Sequence, residues 1–146
     1  MEIPEGEYII PIGVADIKRE GTDVTVVSFG KIIKEAYKAA EVLEKEGISI
    51  EIIDLRTVRP MDHDAILASV KKTNRLVILE EAWPFGSVSS EITYRVQDEA
   101  FDYLDAPIKR ITTADTPAPY SPVLLAKWLP NADDVVKAVK DVMYIK

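Results

Sequence analysis

One histidine, His63, and no cysteine stand among the 146 residues of the chain. Thiolate nucleophiles, disulfides and zinc-finger ligand sets are therefore excluded. A Ser-His-acid triad needs three converging groups, and the sequence offers His63 no identifiable nucleophile. What remains are carboxylates, guanidiniums and hydroxyls. The stretch Asp54-Leu-Arg56-Thr-Val-Arg59-Pro60-Met-Asp62 carries two Arg and two Asp in nine residues. Guanidinium forks match carboxylates bidentately, so it suits internal ion pairs, a subunit interface or an anionic ligand. Structural pairing is the commoner use. Glu80-Glu81 is a carboxylate pair of the kind that acid–base chemistry uses. Adjacent residues on a strand point to opposite faces, so the two do not converge on one substrate atom. The expectation is that one pairs with a basic neighbour and the other caps a loop or helix. Trp83, Pro84 and Phe85 form an apolar knuckle suited to a partner surface or to the core. Gly86-Ser87-Val88-Ser89-Ser90 makes a small-residue helix start, open to an anion or to another subunit. Ser28-Phe29-Gly30-Lys31 is a second anion candidate, but it lacks both G-x-G-x-x-G and the P-loop pattern.

These residues fall where strands end. VTVVSF (24–29) reads as a buried strand and KIIKEAYKAAEVLEKE (31–46) as a helix with one apolar face, closed by Gly47. ISIEIIDL (48–55) is a second strand. Asp62 is the expected N-cap of a helix over 63–73 with Ile66, Leu67 and Val70 inward. RLVILE (75–80), a helix over 87–104, and PIKRITT (107–113) follow. DTPAPYSP, with its closely spaced prolines, breaks regular structure. A last helix opens at Pro130 and Asn131, with Asp133 and Asp134 in its first turn and Lys140 near its end, as the helix dipole favours. Val14–Lys18 suits a short edge strand. Alternating strands and helices with short connections predict a doubly wound α/β domain with a mainly parallel sheet and helices on both faces. In such sheets ligands sit beyond the carboxyl ends of the strands, where the candidate residues lie.

Composition narrows the function classes. The chain is 47% hydrophobic and 29% charged, which suits one globular domain. Its net charge of −7 disfavours nucleic acid as a partner. No apolar run approaches the ~20 residues of a membrane span, and the acidic start does not read as a signal peptide.

Five stretches carry a resemblance: VTVVSFG, IDLRTVRPMD, EEAWPFGSVSSEI, LDAPIKRITTADTPAPY and LPNADDVVKAVKDVMY. In this order and at these intervals they resemble the C-terminal domain of the beta subunits of thiamine-diphosphate-dependent 2-oxoacid dehydrogenases, pyruvate dehydrogenase foremost. That domain belongs to the wider transketolase C-terminal group. The resemblance implies a three-layer α/β/α fold with a five-stranded, mainly parallel sheet and one antiparallel edge strand. Residues 1–21 would be the lead-in from a pyrimidine-binding domain, and 22–146 the transketolase C-terminal-like domain. The parent enzyme would decarboxylate pyruvate on thiamine diphosphate with magnesium and reductively acetylate lipoyl groups. That cofactor would be bound by domains absent from this chain, so no catalytic, cofactor-binding or metal-binding residue is expected here and the isolated chain should be inactive. Partners implied are a second beta subunit, the alpha subunit, and the basic peripheral subunit-binding domain of the acyltransferase core, with neither nucleic acid nor membrane. Asp115 and Lys146 would lie at the docking surface. Arg56, Arg59 and Asp62 match the family's RTxxPxD stretch, and with Trp83, Phe85 and Gly86 they would lie at subunit interfaces. Many relatives have GGxGAEI where this chain has Gly86-Ser-Val-Ser-Ser-Glu-Ile92, so Ser87 and Ser89 depart from the pattern. The compartment would be cytoplasmic in a bacterium and the mitochondrial matrix in a eukaryote. The beta subunit of an acetoin or branched-chain 2-oxoacid dehydrogenase is the alternative within the family. A self-contained flavodoxin-like module for a small anion or nucleotide, built on Ser28–Lys31 and Ser87–Ser90, is the alternative outside it.

Overall fold

The computed structural model describes residues 6–145. Its sheet has five strands: β1 (Asp16–Arg19), β2 (Val24–Ser28), β3 (Ile50–Asp54), β4 (Leu76–Leu79) and β5 (Lys109–Ile111). They lie in the order β1-β3-β2-β4-β5. β3, β2, β4 and β5 are mutually parallel, and only β1 runs antiparallel, pairing Asp16 with Asp54 at the β3 edge. This is the three-layer, mainly parallel architecture that the alternating pattern predicts.

Parallel strands must be covered on both faces, and β2 shows it: all five of its residues are buried. Val24, Val26, Ile50, Ile52, Val77 and Leu79 pack under α1 (Ile33–Lys45) and the last helix, Ala132–Val142. Val27, Ile53, Leu55, Leu76 and Ile78 pack under α2 (His63–Thr73) and α3 (Val88–Ala100) on the other side. Period-two alternation along each strand feeds the two layers.

The α2 face also holds a polar seam. Glu51 of β3 is 1% exposed, and its carboxylate accepts from Ser69 and from the Lys72 ammonium, both on α2. Thr25 of β2 bonds Ser69 at 2.6 Å and Thr73 at 2.7 Å. A buried charge persists only when paired and hydrogen-bonded, and this set meets that condition. Contact with Glu51, and secondarily with Glu20, raises the Lys72 pKa above its ordinary value. Gly21 closes the seam: a Cβ there would lie 2.2 Å from the Glu51 nitrogen, so only glycine fits.

The ends of the elements show what patterning alone reaches. α2 starts and stops where expected: Asp62 accepts from the Ala65 amide, and Asn74, at φ 61°, turns the chain out. The first predicted helix opens with a 3-10 turn, Gly30–Ile32, before α1 proper. The helix expected over 87–104 is regular only to Ala100 and ends in a 3-10 turn, Phe101–Tyr103. One element differs from expectation. The proline-rich stretch leads into a helix, α4 (Pro122–Trp128), with proline in its first turn, where the missing N–H costs no helical bond. α5 (Ala132–Val142) then begins with a full capping box between Asn131 and Asp134. Among the described residues no helix is long and apolar enough to cross a membrane.

Candidate functional site

The sheet reverses its winding around β2. The chain leaves β2 for β3 through α1 on one face, and returns from β3 to β4 through α2 on the other. Loops leaving β2 and β4 therefore diverge, opening the crevice where doubly wound proteins bind ligands. Here that crevice is furnished from within. Glu80, directly after β4, is fully buried. Its Oε2 accepts the Ser89 amide at 3.1 Å, and its Oε1 accepts the Ser87 hydroxyl at 2.5 Å and the Ser89 hydroxyl. The positive end of α3 thus already holds an anion, and the anion is the protein's own side chain. The flavodoxin-like reading needs Ser87–Ser90 for an outside ligand, and Glu80 occupies that place.

Arg110 of β5 completes the arrangement. Its Nε donates to the Ser89 hydroxyl at 2.7 Å, and its terminal nitrogen donates to the Ser87 hydroxyl at 3.1 Å and to the Pro84 carbonyl. Charge is relayed from guanidinium to carboxylate through two hydroxyls rather than by direct contact. The expectation that one glutamate caps a helix is met by Glu80 at α3, whereas direct pairing with a basic neighbour is corrected: Glu80 meets Arg110 only through serine. Glu81 is exposed and, among the described residues, has no ion pair. The two serines that depart from the glycine pattern are the connecting atoms.

The network fixes the knuckle Trp83-Pro84-Phe85 through the Pro84 carbonyl. Trp83 is half exposed and Phe85 almost fully exposed, at 92%, so both belong to the surface rather than the core. Gly86 takes φ 65°, the left-handed turn into α3. The Trp83 indole donates to the Thr116 carbonyl at 3.2 Å, and the Trp128 indole donates to the same carbonyl at 2.9 Å. Asp115, exposed, adjoins that carbonyl. Trp83 and Asp115 are thereby brought to one corner. Tyr120, Val123 and Leu124 are exposed nearby along the chain, and no residue of α4 is buried. Lys146 lies outside the described residues.

The arginine loop divides. Arg56, held at φ 56°, donates to Asp16 at 2.6 Å, and its amide donates to Asp54 at 3.0 Å. Asp16 is held below its usual carboxylate range by the Lys18 ammonium first, with Arg56 adding to the effect against the opposing cost of burial. Asp62 accepts the Ala15 amide at 2.8 Å besides capping α2. Arg56 and Asp62 thus tie β1 and Ala15 just before it to the loop between β3 and α2. Arg59 is exposed and, among the described residues, makes no ion pair; it lines an open cleft with His63 and Arg95.

Among the described residues no group of three or more His, Cys, Asp or Glu is placed to hold a metal ion. Glu80, the buried carboxylate at a strand's carboxyl end, has both oxygens engaged. These residues do not form a cradle for thiamine diphosphate and magnesium, and no catalytic step is assigned to them.

Comparison with known proteins gives the family. The model of the transketolase C-terminal domain matches residues 13–135. The chain belongs to the transketolase C-terminal domain family. It is 53% identical over 144 residues to a pyruvate dehydrogenase E1 component subunit beta of Rhizobium meliloti, covering 98% of this chain and 31% of that relative. It is 49% identical over 142 residues to the beta subunit of acetoin:2,6-dichlorophenolindophenol oxidoreductase of Bacillus subtilis, covering 97% of this chain and 42% of that relative. A solved split-gene transketolase, described as an inactive beta4 tetramer, superposes with TM-score 0.82 at 27% identity, covering all of this chain and 46% of its own. The domain spans less than half the length of these relatives.

Proposed function

We propose that this chain is the C-terminal assembly and docking domain of the beta subunit of a 2-oxoacid dehydrogenase, the pyruvate enzyme. The observation that carries the reading is near-complete coverage of the chain, at about half identity, by beta subunits of pyruvate dehydrogenase. In that enzyme thiamine diphosphate with magnesium supplies the decarboxylation chemistry from outside this domain, and lipoyl groups take up the acetyl product. The domain contributes contacts with a second beta subunit and with the alpha subunit, and a landing surface for the basic subunit-binding domain of the acyltransferase core. The corner that carries Asp115 beside the rigid Trp83–Phe85 knuckle supports that assignment, because an exposed carboxylate next to exposed aromatics offers both steering and an apolar anchor. The mitochondrial names of the plant and slime-mould relatives support the matrix as the compartment for a eukaryotic source. The acetoin enzyme is a second reading, favoured by the 49% identity to its beta subunit.

Calorimetric titration with the basic subunit-binding domain tests docking. Affinity should fall as salt rises, and Asp115→Arg should weaken it about tenfold or more. Unchanged affinity for Asp115→Arg removes that residue from the surface. The chain alone, given pyruvate, thiamine diphosphate and magnesium, should not decarboxylate; cofactor-dependent turnover would overturn the proposal.

A further inference from the structure

β5 is an edge strand. On its inner side the Ile111 carbonyl accepts from the Glu80 amide at 3.0 Å, and the Thr113 amide donates to the Ala82 carbonyl at 3.0 Å. Backbone groups of a strand alternate in direction, so Arg110 and Thr112 turn their N–H and C=O outward. Among the described residues neither has a backbone partner there. The next outward residue, Ala114, donates to the Trp128 carbonyl at 3.3 Å. The chain thus closes its own edge one rung further on and leaves two rungs open.

The open rungs border a groove of about 400 Å³ between β5 and α5, stopped at one end by Trp128. Its charge is distinctive for so acidic a chain. Lys109, Lys127 and Lys137 line it. Lys109 approaches Asp141 at 3.6 Å, whereas among the described residues Lys127 and Lys137 meet no carboxylate. The Asp134 carboxylate is turned to the Asn131 amide at 3.0 Å.

We propose that this edge takes up an extended acidic segment of a partner protein as a sixth strand. The segment would exchange backbone hydrogen bonds with Arg110 and Thr112, and carboxylates at alternate positions would face Lys127 and Lys137 across the groove. A second copy of the chain fits poorly, because β5 against β5 sets lysine edge against lysine edge, the usual guard against self-pairing.

A capped peptide of alternating glutamate and valine is the probe, with the lysine–valine peptide as control. Nitrogen-15 NMR should show the Arg110 and Thr112 amides shifting and gaining exchange protection with the acidic peptide only. Thr112→Pro removes an outward N–H that the fold does not use, as edge positions allow. It should weaken binding about tenfold or more, as should Lys127→Glu combined with Lys137→Glu. Should Thr112→Pro misfold, a peptide N-methylated on its β5-facing residues replaces that arm, and it should not bind. Absence of binding at millimolar peptide, equal binding by Thr112→Pro or by the methylated peptide, or amide shifts confined to another surface would overturn the proposal. So would sedimentation showing a dimer that Thr112→Pro abolishes.

Discussion

Glu80 and Glu81 are neighbours in sequence, identical in type, and opposite in expected consequence. Replacing Glu80 by alanine removes the acceptor of the Ser89 amide at the start of α3, a lost cap worth about 1 kcal/mol. It also leaves the Ser87 and Ser89 hydroxyls and the half-buried Arg110 without their counter-charge. Stripping one member from a buried charge pair costs about 3–5 kcal/mol. Relay through hydroxyls and the partial exposure of Arg110 place the expected total near the lower end, about 3–4 kcal/mol. Domain stabilities run to about 5–15 kcal/mol, so this is a large share. In urea, with a slope of about 2 kcal/mol/M, the midpoint should fall by about 2 M. Glu81→Ala, at an exposed site, should stay within about 0.5 kcal/mol of the parent. Circular dichroism on both variants gives the comparison. Combining Glu80→Ala with Arg110→Ala should cost less than the sum of the singles, because each leaves the other's group stranded. A Glu80→Ala loss under about 1 kcal/mol, or strict additivity with Arg110→Ala, would refute the claim that the carboxylate organises this end of the sheet.

Two further outcomes follow from named contacts. Asn131→Ala deletes the acceptor of the Asp133 and Asp134 amides, and should cost about 1 kcal/mol in urea unfolding, with Asn131→Ser recovering most of it. Asp16, held chiefly by Lys18 below its ordinary 3.8, contributes stability that is present above that value and is lost as pH falls through the lower, folded value. Thermal melts between pH 7 and pH 2 should therefore fall more gently for Asp16→Asn than for the parent.

The sheet and most helices were legible from their patterns: an unbroken, largely β-branched run along Val24–Ser28, buried throughout, and burial returning about every four residues along Ile66, Ser69, Val70 and Thr73. Asp62 was legible as a cap, and Pro130-Asn131 as a helix start, because a short polar side chain before an apolar-periodic run has a local job. α4 was not, since none of its residues is buried and no stripe marks it; Pro122 was its one signal, and a proline reads equally as a breaker. The Glu80 site was half legible. Adjacent carboxylates on a strand announce that one must be satisfied inside. That its partners are Ser87 and Ser89, across a loop, and Arg110, from another strand, depends on the return of α3 over the sheet. The serines in a glycine pattern were the available signal.

Both tryptophans of the chain hang from one carbonyl, that of Thr116. Tryptophan emission, excited selectively over that of the six tyrosines, is thereby confined to a single corner. An emission-detected melt would follow the release of that corner, while far-ultraviolet dichroism follows the helices, and the gap between the curves measures how far the corner loosens on its own. Because Asp115 directly precedes Thr116, the same two indoles serve as a built-in optical reporter of anything that settles there.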